Sequence, residues 1–254
     1  MADLPGRPVR AAAALLLCGA LAGCGSTIDA AGDRAASTDS ADGAAGSPSA
    51  PPGLPTERAA GPVYGNPEDA SAYWVEQSYS DCGLMAVATV VGMMTRDAPS
   101  EQDIIRLAGN TPSQERPGPI YLPPQPGDDT TDNATAPEDQ VRLLKHFGIA
   151  ATITNDEIAS TGGLPTGTEA LQQYLGAGRK AIAGVNAETI WGEDGDHSEE
   201  DHAVVVAAID ADRHAIYLSD SGTESGAGEQ VPLDTFETAW RAGGHALVVT
   251  DAPA

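Results

Sequence analysis

The stretch from Leu84 to Met94 carries no charged side chain and would be apolar nearly all round a helix. A helix without a polar face belongs inside a core, so the chain has to fold around this segment. The segment opens at Cys82-Gly83, and the spacing predicts a helix over 82–94. Glycine there lets other backbone come close. A cysteine at a helix N-terminus faces unpaired amides and the positive end of the dipole, which favour thiolate over thiol. Asp81, one residue earlier, opposes that electrostatically and is also placed to cap the helix.

Further elements follow from end signals and periodicity. Ser100 as N-cap, Asp103 near the capping-box position and Gly109 as a stop bound a second helix over 100–108. Residues 110–135 hold six prolines and read as a long surface loop. Pro137 at N1 and Gly148 at C′ bound a third helix over 137–147, and Gly176 stops a fourth over 168–175. Strands are expected at 149–153, 180–185, 202–209, 215–218 and 245–250, with a hairpin turn at 210–213 and a short helix at 233–242. Helices first and antiparallel strands later make an α+β protein, with N-terminal helices packed on a C-terminal antiparallel sheet.

The N-terminal end is of another kind. Arg7 and Arg10 precede a short apolar run, Ala11 to Ala20, and then Leu21-Ala22-Gly23-Cys24. That pattern is similar to a bacterial lipobox, with residues 1–23 as signal peptide and Cys24 as the lipid-bearing terminus. A diacyl group would hold the chain on the outer face of a cell membrane. Residues 24–61 are Ala, Ser, Gly, Pro, Thr and Asp with few large apolar side chains, the composition of a disordered tether. One domain, 62–254, remains. Of three cysteines, Cys18 would leave with the signal and Cys24 would carry lipid, so Cys82 has no intrachain partner. The net charge of −24 disfavours nucleic acid as a partner and suits a cationic one.

A reactive thiolate needs an imidazole. Five histidines are available. His146, His214 and His245 read as surface or structural residues, and His197 lies in the acidic loop 193–201. His202 opens an apolar strand, a rigid support that ranks it ahead of His197. Asp220, ending the next strand, is placed either to orient that imidazole or to form an ordinary Asx turn. Gln77 carries an amide that could join the Cys82 backbone N–H in holding an oxyanion; it could equally be a surface glutamine. Asp194, Asp196, Ser198 and Glu200 alternate as in calcium loops but lack the full EF-hand spacing, so a solvated acidic loop is the reading adopted, with no metal.

Gln77, Asp81-Cys82-Gly83, His202 with the valines that follow it, and Asp220 together resemble the peptidase C39-like family. The resemblance spans residues 70–250. It implies a papain-like fold with Cys82 as nucleophile, His202 as general base and acid, Asp220 as orienter and Gln77 in the oxyanion hole. Taken with the lipobox pattern, it leads to the expectation of a membrane-anchored, extracytoplasmic thiol peptidase that cleaves a peptide or isopeptide bond without a cofactor. The family often has Asp-Pro where this chain has Asp220-Ser221, and Pro or small residues at Leu84-Met85. A second reading keeps the fold and loses the chemistry, leaving a peptide- or protein-binding lipoprotein. Acyl transfer in place of hydrolysis would use the same residues.

Overall fold

The computed structural model describes residues 62–124 and 134–254. The expected signal peptide, Cys24, the tether and residues 125–133 of the long loop lie outside the described residues. No helix among the described residues is long and apolar enough to cross a membrane.

Nine consecutive buried residues, His202–Asp210, form the central strand of the sheet. In order the elements are β1 (Val63–Gly65), α1 (Asp69–Ala72), α2 (Cys82–Thr95), α3 (Glu101–Gly109), α4 (Pro137–His146), β2 (Ala151–Thr154), α5 (Asp156–Ser160), α6 (Thr168–Gly176), β3 (Ala181–Val185), α7 (Ala187–Trp191), β4 (His202–Asp210), β5 (Ala215–Ser219), β6 (Ala227–Pro232), α8 (Leu233–Ala242) and β7 (Leu247–Thr250). The sheet runs β2-β7-β3-β4-β5-β6, and every pairing is antiparallel. β1 pairs with Ala208–Asp210 of β4. Since β5 occupies one edge of β4 there, β1 continues the β3 edge.

Alternation along the strands divides the core in two. Ile182, Ala203, Val205, Ala207 and Val248 face α2, α3 and α4. Ala181, Ala183, Val185, Val204, Val206, Leu247 and Val249 face the opposite way, onto α6, α8 and Ile190 of α7. The expected α+β plan with an antiparallel sheet is therefore found, but helices cover both faces, and β1 and β2 join the sheet from the N-terminal half. Cover on both sides explains why β4 is buried at every position instead of alternating.

α2 begins at Cys82 as the apolar pattern predicts, and Gly83 through Met93 are buried. Gly83 is required by packing: a Cβ there would lie 2.9 Å from Thr135 Cβ and 3.3 Å from Gln140 Nε2. Ser100 caps α3 by accepting from Asp103 N at 3.2 Å. The described part of the long loop is not all surface. Asp139 of α4 accepts from Ser113 Oγ at 2.6 Å and Gln114 N at 2.8 Å, and Ile120 and Tyr121 are fully buried beyond them.

Candidate active site

The fold brings the start of α2, the start of β4 and the end of β5 to one place. Cys82 is the first residue of α2 and half-buried, and it is a free thiol. His202 is the first residue of β4 and only 5% exposed. Asp220 follows β5 directly and is fully buried. The β5–β6 pairing shifts between Leu218 and Ser219, where Gly228 takes φ +81°, and past its last pair, Ser219 with Ala227, Asp220 N donates to Gly226 O at 3.0 Å. No side chain fits at Gly226, whose Cβ would collide with Asp220 O.

Asp220 holds the imidazole. Its Oδ1 lies 2.7 Å from His202 Nε2 and accepts from Gly222 N at 2.7 Å, while Oδ2 accepts from Trp191 Nε1 at 2.9 Å. Its backbone carbonyl accepts from Trp74 Nε1. Burial alone would raise this carboxyl; the hydrogen bond and charge of His202, then the Trp191 and Gly222 donors, bring it below the ordinary value instead. With Nε2 on Asp220, the other ring nitrogen is left for the thiol, and Cys82 lies close enough to act on the ring electrostatically. Burial alone would lower the imidazolium, but the hydrogen bond to Asp220, the neighbouring Cys82 side chain and the charges of both push it up to about 10. Trp191 also packs on the His202 ring, with centroids 5.2 Å apart.

Gln77 is brought to the same cleft. Its backbone N donates to Ser221 O at 2.9 Å and its Oε1 accepts from Ser221 Oγ at 2.8 Å. The cleft measures about 270 Å³ and is lined by Gln77, Ser80, Cys82, Ala134, Ala187, Glu188, Trp191, Glu193, Asp201 and His202. Neither Lys nor Arg is among these residues.

Asp81 does not cap α2 with its side chain. It is 1% exposed, and neither carboxylate oxygen has a hydrogen-bond partner. Burial first, and the charge of Glu101 second, push its pKa up to about 7 against a smaller opposing pull from its own backbone N–H. The buried Tyr121 hydroxyl beside it, also without a partner, is pushed up to about 12, by burial first and then by the charges of Asp81 and Glu101.

The acidic loop is solvated, as the sequence suggests, with residues 192–201 exposed, and its backbone is tied down. Asn186 is buried and donates from Nδ2 to Asp196 O at 2.8 Å and Glu199 O at 3.0 Å, while Asp201 Oδ1 accepts from Ala187 N at 2.8 Å. Among the described residues no group of three or more His, Cys, Asp or Glu side chains is arranged to hold a metal ion. His197 contacts Thr189 Oγ1, His146 and His214 are exposed, and His245 lies against Asp156 and Trp240.

Sequence reasoning singled out Gln77, Cys82, His202 and Asp220 and missed the two tryptophans. The chain has three, and two of them donate to Asp220. Trp191 sits on α7, a five-residue helix that periodicity cannot reveal, but a tryptophan opening an acidic loop was a signal in itself.

Among solved structures the fold is similar to that of a C39-like peptidase from Bacillus anthracis, with a TM-score of 0.50 and 14% identity over 76% of this chain and 100% of that one. The fold is thus shared with C39-like peptidases. No protein-family profile matches the chain. It is 41% identical over 203 residues to uncharacterized protein Rv1268c of Mycobacterium tuberculosis and to uncharacterized protein Mb1299c of Mycobacterium bovis, across 77% of this chain and 88% of each relative. The chain belongs to the family of these mycobacterial proteins.

Proposed function

We propose that the protein is a papain-like thiol peptidase held outside the cytoplasm by lipid on Cys24. The observation that carries this reading is a buried carboxylate, Asp220, on a buried imidazole, His202, which lines one cleft together with the Cys82 thiol. The Cys82 thiolate attacks the substrate carbonyl. The oxyanion takes hydrogen bonds from the Cys82 backbone N–H and Gln77 Nε2. The His202 imidazolium gives its proton to the leaving nitrogen as the C–N bond breaks. Water then adds to the thioester, His202 takes its proton, and the carboxylic acid leaves. Asp220 fixes the ring orientation throughout.

The cleft wall supports a cationic peptide or protein as substrate. Glu188, Glu193 and Asp201 line it beside the nucleophile, and the whole chain carries −24. Nucleic acid is repelled by the same charge.

The test is alkylation of Cys82 by iodoacetamide across pH, with His202→Ala alongside. A thiolate–imidazolium pair gives rapid labelling near pH 6 that the variant loses, its reaction rising only toward the ordinary thiol range of about 8.5. Ordinary thiol behaviour in the native protein would instead favour a binding protein that has kept the fold. For the anchor, labelled palmitate fed to expressing cells should enter the full chain and not Cys24→Ala. Equal labelling of the two would remove the lipid from the account.

A further inference from the structure

The segment that orients the imidazole also grips Gln77. Ser221 follows Asp220 and is 7% exposed. Its carbonyl accepts from Gln77 N at 2.9 Å, and its hydroxyl donates to Gln77 Oε1 at 2.8 Å. A carboxamide has one acceptor and one donor end, and swapping them leaves its shape almost unchanged. Something must therefore hold the amide in place if its N–H is to serve chemistry. The Ser221 hydroxyl does so by engaging the Oε1 end, which anchors the carboxamide and leaves Nε2 at its far end. Ser221 itself is steadied by its neighbour, since Asp220 is fixed through Gly226 O, Gly222 N and Trp74. A proline at this position, as the resembling family often has, could supply the carbonyl but not the hydroxyl.

We propose that Ser221 is a positioning residue for the oxyanion hole, resting on the thiol peptidase reading above. Through its hydroxyl it keeps Gln77 Nε2 turned away from β5 and toward the carbonyl oxygen attacked by Cys82. One two-residue segment thus sets both partners of the nucleophile, His202 through Asp220 and Gln77 through Ser221.

Two reactions of the same thiolate isolate this role. Acylation by p-nitrophenyl acetate forms a C–S bond through a tetrahedral oxyanion and releases p-nitrophenolate. Alkylation by iodoacetamide displaces iodide and forms no oxyanion. Removal of one oxyanion donor lowers rate by roughly 10²–10³. Ser221→Ala, which leaves the donor present but unheld, should slow acylation by roughly tenfold or more, with alkylation at pH 6 within about twofold of native. Ser221→Thr, which keeps a hydroxyl, should restore most of the acylation rate. Gln77→Ala should slow acylation at least as much, and adding Ser221→Ala to it should change little further. Equal slowing of both reactions by Ser221→Ala would mean a general disturbance of the site and overturn the proposal. So would no change in either, or full additivity with Gln77→Ala. If the native thiol alkylates only in the ordinary range, the peptidase reading falls and Ser221 has no oxyanion to serve. That result is seen in the native protein before any variant is made.

Discussion

Asp81 is the residue whose chemistry sits least easily with its place. It adjoins the proposed nucleophile, is buried, and has no hydrogen bond to either oxygen. Its pKa is pushed from 3.8 to about 7, mainly by burial. Between those values the native protein holds a proton that the unfolded chain has released, so stability falls as pH rises from about 4 to 7. A shift of that size is worth at most about 4 kcal/mol. Asp81→Asn removes the titration. Urea unfolding at pH 4, 6 and 8 should show the variant gaining on the native protein with each step, and parallel curves would disprove it. His202 acts in the same direction in a higher pH window, although here it is the charged form that the fold favours. Its folded value of about 10 lies above the ordinary 6.5, so its contribution is whole below about pH 6.5 and lost as pH climbs through 10. Asp220→Asn takes away the charge that opposes burial. The His202 ring, followed by NMR, should then titrate at least a unit lower; an unmoved titration would mean Cys82 alone holds the proton.

Elements with a strong periodic pattern were legible, and those made by tertiary contact were not. α8 runs from Leu233 to Ala242, the very bounds its sequence suggests, and β4 and β5 match to within a residue. α1, α5 and α7 have four, five and five residues, too short for a helical period to emerge. α7 is held by the Asn186 side chain and by Asp201 from fourteen positions away. β6 contains Gly228, Glu229 and Pro232, poor strand formers accepted on an edge. β7 begins at Leu247 instead of His245 because His245 takes φ +55°, outside the strand region. The turn after β5 carries another demand no pattern shows. A Cβ at Gly222 would lie 2.7 Å from Trp191 Cζ2, 3.1 Å from His202 Cε1 and 3.2 Å from Asp220 Oδ1. Gly222→Ala should therefore slow Cys82 alkylation at pH 6 by roughly tenfold while moving the melting temperature only a few degrees. Native reactivity in that variant would show that α7 yields without disturbing the imidazole.

At the scale of the whole molecule, the sequence revealed which side chains to bring together, because nucleophile, imidazole and carboxylate each stand at the end of a strongly marked element. It did not reveal what surrounds them. The acidic loop reads as solvent-exposed charge and stays exposed, but Asn186 draws its backbone back on α7, so that Glu193 and Asp201 of the loop and Glu188 of α7 come to line the cleft. Charge that composition describes only as a total thus acquires a direction, and it points at the proposed reaction centre. Exposed carboxylates at this distance attract a cation weakly and in a salt-dependent way, since screening acts over about 10 Å at 0.1 M. The purified domain, given a mixture of short peptides differing only in Lys, Gln or Glu content, should consume the lysine-bearing members first. That preference should shrink roughly threefold or more between 50 and 500 mM salt, and Glu193→Lys should weaken it without slowing alkylation of Cys82. Equal consumption of all three sets would show that the charge serves the surface alone and that the cleft selects by shape.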